Sequence, residues 1–235
     1  SWLMGAGSGD TTSTIQDQTT NNNDATVSGA SLVGYNDGTA SGSPDSIVLT
    51  EGLTSGRDSQ GFYLTDTTEN CLTLNGAEYV EVSDSDSLDI TEGNHSFEIW
   101  AKTNSSNTAQ MMFRGDTANY WVGMFFRLNK IEFQWDDNVT KKVCESNSNF
   151  ALDTWYHIVA IRDGAEYSLW IDGVKQSDTE TVGNNFTLSQ SLFVGATGTG
   201  DYVDGKIDDV RIYSDALSSD EVTKNYNAGL SKHRN

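Results

Sequence analysis

The sequence predicts an all-β sandwich or barrel carrying one short C-terminal helix. Three observations lead there. From about residue 61 onward, short segments rich in β-branched and aromatic residues alternate with Gly/Asn/Asp turns. Asp-Gly stands between two pairs of such segments, at Asp163-Gly164 and Asp172-Gly173, where hairpin turns need positive φ. A helix start signal occurs once, near the C-terminus.

Residues 1–60 are rich in Gly, Ser, Thr, Asn and Asp but hold apolar islands: Trp2-Leu3-Met4, Val27 with Leu32-Val33, and Ile47-Val48-Leu49. Disordered chain normally lacks such islands, so short strands are expected there, with long loops at 8–24 and 36–46. Beyond them the candidate strands are 61–65, 71–74, 78–82, 95–102, 109–114, 120–127, 130–135, 140–144, 155–162, 166–171, 192–196 and 205–213. The helix is placed at 218–228. Ser218 and Glu221 have the spacing of a capping box, and Asp220 and Glu221 suit the positive end of the helix dipole. Its apolar positions are few (Leu217, Val222, Tyr226), so it should lie on the sandwich rather than form a core.

Lys plus Arg number 14 against 34 Asp plus Glu, a formal charge of −20. No basic cluster is present, so phosphate neutralisation has nothing to work with and nucleic-acid binding is excluded. Attraction to an anionic bilayer is disfavoured for the same reason, and no run approaches the roughly 18–20 apolar residues of a membrane span. The N-terminal residues lack the basic segment and long apolar stretch of a secretory leader. Two cysteines, Cys71 and Cys144, are too few for a disulfide framework. They form one bridge or two buried thiols, and the second reading is favoured.

Six stretches set the family. Leu74-Asn75-Gly76-Ala77-Glu78-Tyr79-Val80-Glu81-Val82 is followed by Ser87-Leu88-Asp89-Ile90 and Ser96-Phe97-Glu98-Ile99-Trp100-Ala101-Lys102. Then come Thr154-Trp155-Tyr156-His157-Ile158-Val159-Ala160, Leu169-Trp170-Ile171-Asp172-Gly173 and Gly205-Lys206-Ile207-Asp208-Asp209-Val210-Arg211-Ile212-Tyr213. Their order and spacing resemble the laminin G-like, concanavalin A-like domains of the laminin G and pentraxin group. Upstream, Asp17 through Val27 is similar to that family's first strand. The resemblance implies a two-sheet antiparallel jelly-roll sandwich over residues 14–230, preceded by an arm at 1–13 and followed by a tail at 231–235. Residues 35–60 then read as an insertion, and 104–124 as divergent. Loops vary on such a scaffold and carry the specific function.

Some enzymes of this fold cleave glycans with two carboxylates. A retaining pair sits roughly 5–5.5 Å apart, and residues two apart share a strand face. Glu78/Glu81, Asp136/Asp137 and Asp208/Asp209 lack that spacing, and Glu132 has no carboxylate at 130 or 134. His95, His157 and His233 show no metal or nucleophile–base pattern, and His157 reads as a hydrogen-bonded core residue. The run Gly195-Ala196-Thr197-Gly198-Thr199-Gly200 precedes no helix with a lysine, so a phosphate cradle is not supported. No enzymatic activity is expected.

The resemblance also implies a structural Ca²⁺ on the convex side, between the N-terminal segment and the last strand. The matching residues are Asp208 and Asp17 or Asp24. The alternative is a solvated aspartate at a strand bulge. Ser83-Asp84-Ser85-Asp86-Ser87 lacks the Gly and Glu of an EF-hand loop and reads as a polar connection.

Of six tryptophans, Trp100, Trp155 and Trp170 fall in framework stretches and are assigned to the core. Tyr120, Trp121, Trp135, Asp136 and Asn138 flank one hairpin and are the candidate ligand residues. Sugar rings present apolar C–H faces to aromatic rings, and Asp and Asn bond their hydroxyls. Ordinary sandwich core is the competing role for these aromatics. Trp2, Leu3 and Met4 read as an anchor into a neighbouring subunit, or as packing on their own domain.

The expected function is a non-catalytic recognition module for a glycan or surface protein, displayed outside the cell or on a virion surface. The alternatives are a structural decoration or fibre protein of a virus particle and, third, a divergent glycan hydrolase or lyase.

Overall fold

The computed structural model describes strand backbone at 14–15, 25–28, 31–33, 54–58 and 61–65. It describes residues 71–233 apart from 85–87, 89–92, 117–119, 182–187, 189 and 198–199. Trp2, Leu3, Met4, Asp17 and Asp24 lie outside these residues, as does the island at 47–49.

Among the described residues, seventeen strands precede one helix. They are β1 (Thr14–Ile15), β2 (Ala25–Ser28), β3 (Ser31–Val33), β4 (Thr54–Asp58), β5 (Gly61–Thr65), β6 (Cys71–Asn75), β7 (Tyr79–Val82), β8 (His95–Thr103) and β9 (Ala109–Gly115). There follow β10 (Tyr120–Arg127), β11 (Lys130–Asp137), β12 (Lys141–Glu145), β13 (Tyr156–Asp163), β14 (Glu166–Ile171), β15 (Val174–Thr181), β16 (Leu192–Val194) and β17 (Asp204–Tyr213). An eight-stranded sheet runs β1-β2-β7-β16-β9-β10-β11-β12, and a seven-stranded sheet runs β15-β14-β13-β8-β17-β6-β3. β4 and β5 form a separate hairpin in and beside the expected insertion. Every pairing is antiparallel. This is the two-sheet jelly-roll sandwich that the sequence predicts.

The core lies between the sheets and follows from period-two alternation. Val80, Val82, Val122, Met124, Phe126, Ile131, Phe133 and Trp135 project inward from one sheet. Phe97, Ile99, Ala101, Ile158, Ala160 and Ile207 project inward from the other. At one seam the edges of the two sheets meet through side chains. The Glu145 amide donates to Asp178 Oδ2 (2.9 Å), the Asn147 amide donates to Gln176 Oε1 (2.8 Å), and Lys142 pairs with Glu180 (3.0 Å). These contacts satisfy backbone groups that an open edge would present to another chain.

Cys71 and Cys144 are both buried and not joined in a disulfide, and burial pushes the Cys144 thiol up to about 12. Asp172 and Gly173 take φ of 52° and 78°, as the turn signal requires. Helix α1 (Ser219–Gly229) is N-capped by Ser218, and both halves of the capping box with Glu221 form.

Two expectations change. β15 has no apolar alternation and was not among the candidate strands. It is an edge strand whose residues are mostly solvated, so burial leaves no pattern in its sequence. Residues 231–233 are no free tail, because His233 is buried against the seven-stranded sheet.

Candidate functional site

Helix α1 covers the outer face of the seven-stranded sheet, and a polar layer lies beneath it. Glu98 on β8 is fully buried and accepts four hydrogen bonds. The donors are His157 Nε2 (3.1 Å), Arg211 Nη1 (2.5 Å), the Tyr213 hydroxyl (2.7 Å) and Asn225 Nδ2 (2.8 Å). Burial raises its carboxyl pKa, but the His157 bond and the Arg211 charge outweigh that and hold it below the usual range. Asn225 belongs to α1, so this carboxylate ties helix to sheet. His157 is thus the hydrogen-bonded buried residue the sequence indicates. Trp100 and Trp155 belong to this outer layer with Cys71 and Tyr226, not to the core between the sheets.

A bulge in β17 between Asp208 and Arg211 turns both Asp208 and Asp209 into the same layer. With His233 they form a cluster whose ligand atoms all lie within 4.8 Å of one another. Nothing local in the sequence links His233 to Asp208, because a contact between residues 208 and 233 has no local pattern. Its ring stacks on Trp100 (4.2 Å, 11°), Nδ1 donates to the Gly229 carbonyl (2.9 Å), and Nε2 lies 2.9 Å from Asp208 Oδ2. Gly229 permits this approach, since a Cβ there would stand 2.5 Å from the Trp100 indole nitrogen.

The described residues of this cluster do not by themselves complete a calcium site, and Asp17 and Asp24, the other expected ligands, lie outside the described residues. Asp208 Oδ1 accepts the Asp209 amide (2.8 Å), and its Oδ2 faces His233. Asp209 Oδ2 faces Arg211 (3.2 Å) and Lys232 (3.9 Å). Only Asp209 Oδ1 is buried with no partner, against the roughly six to eight oxygens that calcium takes. Burial raises the Asp209 pKa, yet the Arg211 and Lys232 charges bring it down to about 2. Burial and the neighbouring Asp209 charge raise that of Asp208. Arg211 and Lys232 already supply protein cations to Asp209. The thermal midpoint is therefore expected to be the same in calcium and in EDTA, measured by differential scanning fluorimetry; a rise with calcium would contradict this reading.

The outer face of the eight-stranded sheet differs in character. Register places Tyr79 and Glu81 on β7, Phe193 on β16, Phe113 on β9, Trp121, Gly123 and Phe125 on β10, and Glu132, Gln134 and Asp136 on β11 on that face. The aromatic rings form a connected strip. Tyr202 lies 6.4 Å from Tyr79, Tyr79 5.7 Å from Phe193, Phe113 5.9 Å from Trp121, and Trp121 6.1 Å from Phe125. Phe193 stands opposite Phe113 and packs on that cluster. From β7 to β10 the strip crosses three strand spacings, about 14 Å. Lys141 sits over the Trp121 ring at 5.3 Å.

The predicted ligand residues divide on this geometry. Tyr120 is 38% exposed, and Asn138 is exposed at the adjoining turn with φ 63°. Asp136 is half-buried, and its Oδ1 accepts the Asn138 amide (2.8 Å). Trp121 belongs to the strip and is 8% exposed, so it offers only an edge. Trp135 is a correction. It pairs with Val122, whose parity faces the other sheet, and it packs on Tyr167 (4.3 Å) in the core. Sequence reading missed Tyr79, Phe193 and Tyr202; the first lies in a framework stretch, and only strand order brings the three together.

Glu132 and Asp136 share the outer face, although two-residue spacing does not pair them. Four residues of strand separate their Cα atoms by about 13 Å. Each carboxylate is engaged locally, Glu132 by Gln134 and Arg127, Asp136 by the Asn138 amide.

No curated protein matches the chain. Among solved structures, the binding domain of botulinum neurotoxin serotype D aligns with a TM-score of 0.59 at 16% identity, over 94% of this chain and 51% of that one. The serotype G binding domain aligns with a TM-score of 0.59 at 13% identity, over 93% and 51%. This chain thus spans about half the length of the toxin domains. Domain 4 of AbnA, a GH43 extracellular arabinanase from Geobacillus stearothermophilus solved with arabinotriose, aligns with a TM-score of 0.56 at 16% identity, over 93% and 98%. At such identities the likeness is one of fold. A laminin G family model, described as the concanavalin A-like lectin/glucanases superfamily, matches residues 74–223, well over half of the sequence. The chain belongs to the concanavalin A-like lectin/glucanases superfamily.

Proposed function

We propose that the protein is a non-catalytic recognition module for a glycan or surface protein, with its ligand face on the outer side of the eight-stranded sheet. The observation that carries this reading is the aromatic strip from Tyr202 to Phe125 on a face that no described helix covers. A folded domain normally keeps its aromatic rings between its layers. A second layer of rings interspersed with Gln, Glu and Asp has the mixed character of a binding face, apolar with a few placed polar groups. Tyr120, Asp136 and Asn138 border that face at one end, beside the edge of Trp121. The toxin domains are described as binding domains, and the arabinanase domain was solved with an oligosaccharide. Both support the reading through their shared fold. A display outside the cell or on a particle surface is consistent with it.

A glycan array is the direct test, paired with a reducing-sugar assay on the polysaccharides that score. Binding without reducing-end release is expected. Release of reducing ends would overturn the non-catalytic reading.

A further inference from the structure

Tyr79, Phe193 and Tyr202 form a corner at the end of the strip away from Tyr120. All three are half-buried, whereas Phe113, Trp121 and Phe125 are buried, so the corner is where the strip meets solvent. The Tyr79 and Phe193 rings meet edge-to-face at 65°, and Tyr202 tilts 34° to Tyr79.

Tyr202 is held in place although it lies in a loop. The Asp201 carbonyl accepts the Gln110 amide (2.7 Å), and the Val203 amide donates to the Gly195 carbonyl (2.9 Å). Val203 is fully buried in the core, and Asp201 adopts a φ of 52° to make the turn. Backbone anchors on both sides therefore fix the ring before any ligand arrives, which lowers the entropy cost of binding.

The charged groups on β7, β16 and residues 195–203 share one sign. Glu81 stands opposite Phe193 on the same face, and Asp201 is exposed beside Tyr202. β7, β16 and the 195–203 loop contain no lysine or arginine. An anionic glycan meets repulsion here, whereas the hydroxyls of a neutral sugar meet carboxylate acceptors and its C–H faces meet the rings.

We propose that Tyr79, Phe193 and Tyr202 form a binding subsite for one ring of a neutral polysaccharide. The proposal rests on the recognition reading above and adds the ligand class and its contact residues.

Affinity gel electrophoresis tests it, using arabinan, xylan and mixed-linkage β-glucan as neutral gels and polygalacturonate and alginate as anionic ones. The wild-type protein is expected to be retarded in at least one neutral gel and in neither anionic gel. Tyr202→Ala and Tyr79→Ala are expected to weaken that retardation about tenfold at an unchanged thermal midpoint, with Tyr202→Phe retaining most of it. Tyr202→Ala decides the matter if Tyr79→Ala fails to fold. Full retardation of Tyr202→Ala would overturn the corner while leaving the recognition reading intact. Retardation in anionic gels alone would overturn the neutral-ligand assignment. No retardation in any gel and no signal on the array would overturn both.

Discussion

Glu98→Ala is expected to destabilise the domain by about 3–5 kcal/mol, the cost of breaking a buried ion pair by removing one partner. For a chain of this size that lowers the midpoint by about 6–20 °C in thermal denaturation. The size of the effect comes from what is stranded. Arg211, His157, Tyr213 and Asn225 all direct donors at this one carboxylate. Without it a half-buried guanidinium loses one of its two carboxylate partners and keeps Asp209, and α1 loses its tie through Asn225. Glu98→Gln is expected to cost less than Glu98→Ala, because its amide oxygen still accepts from the surrounding donors and Arg211 keeps Asp209. An unchanged midpoint in Glu98→Ala would remove this layer from the account of stability.

The same layer sets the response to acid. Glu98 and Asp209 both have folded-state pKa values below their ordinary values of 4.5 and 3.8. A group lowered in this way contributes stability that is full above its unfolded-state value and is lost as pH falls through the folded one. Stability is therefore expected to decline from about pH 4.5 toward about pH 2. Asp208, raised by burial and by Asp209, acts in the opposite sense and softens the decline. Chemical denaturation across that range follows the slope.

Trp135→Ala is the second large effect, expected at about 3–5 kcal/mol. The ring is fully buried between Phe133 (5.6 Å) and Tyr167 (4.3 Å), and its removal leaves a cavity that a sheet core cannot close. Trp135→Phe is expected to cost much less. It keeps an aromatic ring and removes an indole N–H that has no partner. Ligand affinity of the protein that remains folded should not change in either variant. A stable Trp135→Ala with lost binding would return Trp135 to the ligand face.

That correction shows where sequence reading reached its limit. Trp121 and Trp135 look equivalent on their hairpin, and strand pairing alone decides that one faces outward and the other inward. The sandwich was legible because its inward residues alternate in strand after strand, and the helix because Ser218 and Glu221 carry a local capping signal. β15 was not, since an edge strand with solvated faces need not alternate. The polar layer was half legible. His157 and Asp208 stood out within framework stretches, but the link from Asp208 to His233 is made in space by a bulge and a helix end. The aromatic corner was hidden for a similar reason. Tyr79, Phe193 and Tyr202 are far apart in the chain and become neighbours only when β16 pairs with β7 and the Val203 amide bonds the Gly195 carbonyl.

The most direct test of the ligand face is chemical-shift mapping with an oligosaccharide from a polysaccharide that the protein retains. The expected perturbations fall on Tyr79, Phe193, Tyr202 and the exposed edge of the Trp121 indole. Perturbations confined to α1 and the outer face of the seven-stranded sheet, around Trp100 and His233, would contradict the central claim.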